Sequence, residues 1–150
     1  DDKMNLIISQ SALEHIEDDL VLFQGIRNKI IKKPKSMIQI HLVPSESCLS
    51  LYRYHGVRQY SPRTISKIGK LFMPFSYIYL FKLGGEKCHR VHRHYITQPL
   101  SEKGIDLRDV QTKEYQQDLQ KAVVEDMKNS HAKPIFYAFI IHSYPKQPIF

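Results

Sequence analysis

The stretch 135–142, Ile-Phe-Tyr-Ala-Phe-Ile-Ile-His, decides the fold. It is apolar at odd and even positions alike, so a strand built from it presents apolar side chains to both faces of a sheet. This pattern predicts an inner strand, and Pro145 ends it. The chain has 150 residues, which is long enough to bury a core around such a sheet.

In the remaining segments, apolar residues recur with the period of a strand or of a helix. The predicted helices are 11–33, 112–129 and a short 63–68, and the predicted strands are 37–43, 48–55, 75–83 and 86–97. The order α-β-β-(α)-β-β-α-β predicts an α+β fold with a mainly antiparallel sheet of about five strands and two longer helices. We expect one domain over 1–150, and the start Asp1-Asp2-Lys3-Met4 is typical of a domain excised from a longer chain.

Charge is sorted along the chain. The whole sequence has 22 Lys and Arg against 15 Asp and Glu, a net charge of +7. Residues 20–101 carry 14 of the bases and only two acids, Glu46 and Glu86, so this block is +12 and the flanks together are −5. The block predicts a basic surface that engages an anionic partner.

A hairpin is the clearest local signal within this block. Gly84-Gly85 suits a two-residue turn, because both glycines accept positive φ, and it joins the predicted strands 75–83 and 86–97. The side chains that this register places on one face are Phe75, Tyr77, Tyr79, Phe81, Cys88, Arg90, His92 and His94. One alternative is that this face belongs to the core and that the histidines lie at its rim.

An exposed face of this composition indicates RNA binding. Tyr77 and Tyr79 can stack on bases, and basic side chains can meet phosphates. His92 and His94 are the candidate acid and base for RNA cleavage, since imidazoles titrate near neutral pH. The predicted binding residues are Arg90, Tyr77, Tyr79, Arg53, Arg93, Lys32, Lys33 and Lys35. Whether the protein is an enzyme stays open.

An interaction module is the second hypothesis. The segment 27–35 has five bases and no acid. It fits an acidic protein or a phosphoinositide membrane surface, in the manner of a host-directed effector or a scaffold domain.

A third hypothesis comes from 51–56, Leu-Tyr-Arg-Tyr-His-Gly. This segment resembles the NAD-binding strand of ADP-ribosyltransferases. The resemblance implies an NAD-dependent transferase in which Arg53 or His55 grips the dinucleotide, with Phe75-Ser76-Tyr77 as the middle element of the site.

Cysteine usage and hydropathy set the context. Cys48 and Cys88 make no disulfide framework and no zinc-type spacing, which predicts buried thiols in the cytoplasm or another reducing compartment. A disulfide between them and a catalytic cysteine are the alternatives. No apolar run approaches the length of a membrane span. His92 and His94 lack an evident third ligand, so no metal site and no cofactor are predicted, and the oligomeric state is open.

Overall fold

The computed structural model describes residues 4–52, 56–129 and 131–148. Its strands are β1 (Leu6–Gln10), β2 (Met37–Pro44), β3 (Ser76–Leu83) and β4 (Phe136–Ser143). Its α-helices are α1 (Asp19–Lys32), α2 (Leu49–Tyr52), α3 (Pro62–Phe72), α4 (Glu86–His92), α5 (Gln98–Lys103), α6 (Leu107–Val110) and α7 (Thr112–Met127). Short 3-10 turns occupy Leu13–His15, Glu46–Cys48 and Met73–Phe75, and a π-helical segment, Arg93–Thr97, joins α4 to α5.

The four strands form one mixed sheet in the order β1-β2-β4-β3. β1 and β2 are parallel, with Leu6 opposite Ile38 and Gln10 opposite Leu42. β4 runs antiparallel to both neighbours, because partners near one end of β4 lie at the opposite end of β2 and of β3. The bonds that fix these directions are Ser36 Oγ with His142 Nε2, Ser45 N to Ile135 O, Ile135 N to Leu83 O, and Tyr144 N to Phe75 O.

Several sequence predictions are confirmed. The strands predicted at 37–43, 75–83 and 135–142 are β2, β3 and β4, and β4 is an inner strand as expected. The helices predicted at 63–68 and 112–129 are α3 and α7. The α+β class is confirmed, but the sheet has four strands rather than about five, and one pairing is parallel.

The predicted hairpin is wrong, because 86–97 is helical. The carboxylate of Asp126 on α7 accepts hydrogen bonds from the backbone N–H groups of Lys87 (3.1 Å) and Cys88 (2.9 Å), which satisfies the free donors where α4 begins. Cys88 and Tyr95 are buried, and Val91, which lies between them in sequence, packs against the apolar cluster that contains Cys88. These spacings of three and four are helical, so the sequence carried a signal that the Gly-Gly turn obscured.

Three further elements differ from the predictions. The strand predicted at 48–55 is helical over Leu49–Tyr52, and 53–55 lie outside the described residues. β1 was missed, because only five residues form it. The helix predicted from residue 11 begins at Asp19, since the chain first makes the 3-10 turn at Leu13–His15.

The chain divides into two compact units, each with its own core. The first comprises the described residues of Asp1–Pro44, His55–Phe81 and Tyr137–Phe150, and the second those of Ser45–Tyr54 and Lys82–Phe136. The first core contains Leu13, Phe23, Ile30, Met37, Val43, Tyr60, Ile65, Ile68, Phe72, Tyr137, Phe139 and Ile141. The second contains Cys48, Cys88, Ala122 and Ile135. This division describes packing and leaves the prediction of one domain untested.

Gly56 lies beside Glu14 in the first unit, and Gly104 in the second unit serves as its matched comparison. Both have left-handed φ, +72° and +66°, which strains any other residue by about 1–2 kcal/mol. A Cβ on Gly56 would also lie 2.7 Å from the Glu14 carbonyl oxygen, whereas one on Gly104 meets nothing within 4 Å. We expect Gly56→Ala to lower the free energy of unfolding by about 2–4 kcal/mol and Gly104→Ala by about 1 kcal/mol, measured in urea. Equal losses would show that the contact with Glu14 relaxes freely.

Candidate functional site

The carboxyl ends of parallel strands are where open α/β sheets bind ligands, and here β1 and β2 provide them. The chain leaves β1 through Gln10 and Ser11, which are both exposed. Ser11 has a left-handed φ of 46°, and its N–H donates to the carbonyl of Leu42 at 3.1 Å. The loop at 11–18 is therefore folded back onto the end of β2.

A buried histidine lies beneath this loop. His41 is 1% exposed, and the Ser9 hydroxyl lies 2.7 Å from its Nδ1 while Gln39 Oε1 lies 3.4 Å from Nε2. Because Oε1 can only accept, Nε2 carries the proton and Nδ1 accepts from Ser9. Burial lowers the pKa of His41 from 6.5 to about 4, so the ring is neutral at pH 7.

An acidic anchor holds the other end of the loop. The carboxylate of Asp19 is 2% exposed and accepts from Arg58 Nη1 and from the Tyr60 hydroxyl, both at 2.8 Å. Arg58 also donates to the carbonyl of Glu17. Burial and the bond to Asp19 raise the pKa of Tyr60, so its hydroxyl stays a donor.

Glu14 closes the middle of the loop. Its backbone carbonyl accepts from the N–H of Val57 at 2.7 Å, and the residue is only 1% exposed. Its Oε2 has no hydrogen-bond partner among the residues that the structure describes. The loop therefore presents Gln10 and Ser11 to solvent and keeps Glu14 inside.

A separate polar pocket lies within the second unit, on the helix that runs from α4 through the π-helical segment to α5. Its volume is about 300 Å³. The residues that line it are Ser50, Leu51, His89, Arg93, Thr97, Gln98, Ser101 and Glu102. Two hydrogen bonds fix its walls, one from Gln98 Nε2 to Glu102 Oε1 at 2.9 Å and one between Ser50 Oγ and His89 Nε2 at 3.3 Å.

His92, a predicted catalytic residue, does not line this pocket but bonds a residue that does. Its Nδ1 lies 3.0 Å from the Thr97 hydroxyl, and Thr97 lines the pocket. Burial, with a smaller effect from the charge of Arg108, lowers the pKa of His92 from 6.5 to about 4. A neutral imidazole of this kind is a weak base at neutral pH.

The other predicted residues of the hairpin are separated by the helical course of 86–97. His94 is exposed and meets the ring of Tyr95 edge-on at 4.7 Å. Arg90 is ion-paired with Glu86 at 3.3 Å. Tyr77 and Tyr79 lie on β3 in the first unit, with ring centroids 6.5 Å apart, so they do not form a shared strand face with Arg90 and the histidines.

The remaining predicted binding residues are distributed through the chain. Arg93 lines the pocket of the second unit. Lys32 ends α1, and Lys33 and Lys35 follow it in the first unit. Arg53 lies outside the described residues. The pocket lining includes Ser50, His89 and Ser101, which sequence reasoning missed. A helix through 86–101 would align His89 and Ser101 with Arg93, but Ser50 lies on α2 and no periodic pattern links it to them.

Both cysteines are buried free thiols, as predicted. Cys48 donates from Sγ to the carbonyl of Ile135 at 2.9 Å, and burial raises its pKa to about 12. Burial likewise raises the pKa of Cys88 to about 11. Both thiols are therefore protonated and poorly nucleophilic at pH 7. Among the described residues no helix is both long and apolar enough to cross a membrane, and no group of three or more His, Cys, Asp or Glu could hold a metal ion.

Comparison with solved structures places the fold. A SAM-dependent methyltransferase from Archaeoglobus fulgidus matches over 93% of this chain with a TM-score of 0.50 and 16% sequence identity. The chain shares its fold with that protein. It spans 59% of the length of that protein. A phosphoethanolamine N-methyltransferase 2 from Haemonchus contortus, solved with S-adenosyl-L-methionine, matches over 95% of this chain and 33% of its own, with a TM-score of 0.46 and 13% identity. No protein-family model and no curated protein matches the sequence.

These findings correct the functional predictions. A fold shared with methyltransferases contradicts RNA binding with histidine RNA cleavage, the interaction-module alternative and the ADP-ribosyltransferase resemblance. The physical cause of the error is the hairpin, since the stacking face it implied is divided between β3 and a helix. Acidic, lipid or nucleic-acid partners and a reducing compartment remain predictions.

Proposed function

We propose that the chain takes part in methyl transfer from S-adenosylmethionine, with the loop at 11–18 as one wall of the donor crevice. The observation that supports this proposal is the likeness of the fold to a SAM-dependent methyltransferase over 93% of the chain. The parallel pair β1 and β2 adds to it, because ligands of open α/β sheets bind beyond the carboxyl ends of such strands.

The residues at this end fit only part of such a donor. The Gln10 amide and the Ser11 hydroxyl are exposed and can bond the hydroxyl, amino and carboxylate groups of S-adenosylmethionine. The connection from β1 to α1 contains no glycine, so its backbone lacks the close approach that glycine-rich dinucleotide turns allow. β1 is also an edge strand, and its Leu6 and Ile8 are 46% and 61% exposed, which leaves the other wall open.

The chemistry of the donor is supplied by its sulfonium, which makes the attached methyl group an electrophile. In this proposal the exposed side chains of Gln10 and Ser11 orient the donor through hydrogen bonds. The buried His41 is neutral and its Nδ1 is occupied by Ser9, so it joins β2 to β1 rather than moving a proton.

Titration followed by NMR of the backbone amides tests the proposal. We expect S-adenosylmethionine and S-adenosylhomocysteine to shift amides clustered at 9–15 and 42–43, with dissociation constants of roughly millimolar, about −4 kcal/mol. ATP is the control nucleotide and should not shift this cluster. Gln10→Ala should weaken the response, and Gln111→Ala, an exposed glutamine of the second unit, should not. Shifts that never saturate, or that follow ATP equally, would refute a methyl-donor site.

A further inference from the structure

We infer that the pocket of the second unit is a binding site for the oxyanion, a carboxylate or a phosphate, of a small organic ligand. The inference does not rest on the proposed methyl transfer, since it concerns residues of the second unit alone. Its volume of about 300 Å³ is at the lower end of the range for metabolite sites.

The first argument is the spacing of the lining residues. His89, Arg93, Thr97 and Ser101 recur every four residues along one helix and all line the pocket. In an α-helix of 3.6 residues per turn, such a series drifts around the axis. The π-helical segment Arg93–Thr97 holds more residues per turn, so Arg93 and Thr97 stay more nearly aligned on one face. π-helical turns of this kind are frequent at functional sites.

The second argument is the state of the guanidinium. Arg93 is exposed, and its guanidinium forms no hydrogen bond or ion pair with the residues that the structure describes. The neighbouring bases on the same helix are engaged: Arg90 pairs with Glu86 at 3.3 Å and Lys87 with Glu125 at 3.1 Å. An unpaired guanidinium at a concave site matches the planar, bidentate geometry of a carboxylate or phosphate.

The third argument is that hydrogen-bonding groups surround this charge. The imidazole of His89 is already hydrogen-bonded to Ser50, and the Thr97 hydroxyl is hydrogen-bonded to the neutral ring of His92. Their conformations are therefore fixed before a ligand arrives, which reduces the entropy lost on binding. Glu102 also lines the pocket and accepts from Gln98, so its charge opposes a bare anion and favours a ligand with a hydrogen-bond donor opposite its oxyanion.

NMR titration of the full chain with inorganic phosphate and, separately, with acetate tests the site. We expect saturable shifts at the Thr97 and Ser101 amides, with a dissociation constant of roughly millimolar for the preferred anion. If the shifts saturate at a lower concentration of phosphate than of acetate, the ligand group is a phosphate; the reverse order identifies a carboxylate.

Two arginines on one helix provide a matched comparison. Arg93→Gln should weaken binding at least about tenfold, because a charge-assisted bidentate pair is lost. Arg90→Gln removes an exposed, paired base and should change it less than about twofold. Glu102→Gln should strengthen binding of either bare anion about twofold, because it removes a repulsive charge. Equal weakening by both arginine variants would indicate general attraction to a basic surface, and that result or unsaturable shifts would overturn the inference.

Discussion

Replacing Asp19 by Ala is expected to lower the free energy of unfolding by about 2–4 kcal/mol. Removing one partner of a buried ion pair costs about 3–5 kcal/mol when both charges are buried, because the other is left uncompensated. The carboxylate of Asp19 is 2% exposed, but the side chain of Arg58 is 32% exposed and keeps some hydration, which reduces the cost. The substitution also removes the shorter of the two hydrogen bonds of the buried Tyr60 hydroxyl, leaving it the carbonyl of Leu13 at 3.2 Å.

Urea denaturation of Asp19→Ala against Asp18→Ala measures this effect. Asp18 precedes it at the start of α1, is exposed, and makes no capping hydrogen bond through its side chain. Its replacement should change stability by no more than about 0.5 kcal/mol. Similar losses in the two variants would mean that the charge of Asp19, and not its contacts with Arg58 and Tyr60, determines the stability of the loop.

The anchor at Asp19 also shows what sequence reasoning can and cannot provide. The acids Glu14, Glu17, Asp18 and Asp19 fall in the first half of the helix predicted at 11–33, where they would complement the helix dipole. The structure instead buries Glu14 and Asp19 and starts the helix at Asp19. The partner that decides this, Tyr60, is 41 residues away, and such a contact leaves no periodic trace.

The strands that were predicted correctly are those whose pattern is local. In β4 both faces are covered, as the apolar run indicates. In β2 burial alternates as in a strand, but the fully buried face is 37, 39, 41 and 43, which includes Gln39 and His41, and the apolar residues 38, 40 and 42 are only half-buried. The direction and order of strands depend on distant partners. The parallel pairing of β1 with β2 and the position of β4 between β2 and β3 therefore could not be derived from alternation.

Density along the sequence is an incomplete guide to the charge block. Its 14 bases are close in sequence, which predicts one basic surface, and this stays a prediction. In the structure Lys87, Arg90 and Arg93 belong to the second unit, while Lys32 and Arg58 belong to the first. Arg58 and Arg90 are already paired with acids, so sequence density overstates the charge available to a partner.

Acidification should unfold the protein through His41. The folded-state pKa is lowered from 6.5 to about 4, so the unfolded chain binds more protons between these values. Stability therefore rises with pH across the window and is lost as the pH falls from about 6.5 to about 4. A shift of this size corresponds to roughly 3 kcal/mol at full protonation. The physical cause is that a charged imidazole cannot be hydrated between the rings of Phe23 and Phe139.

His41→Gln isolates this contribution, because glutamine does not titrate and can still bond Ser9. At pH 7.5 the variant should be less stable by about 1–2 kcal/mol, since it loses the ring contacts. Between pH 6.5 and 4 it should lose roughly 3 kcal/mol less than the native chain, and carboxylate titration cancels in this difference. His131→Gln, at an exposed ring of the second unit, is the control and should follow the native chain. Parallel stability curves for His41→Gln and the native protein would show that His41 is already hydrated in the folded state.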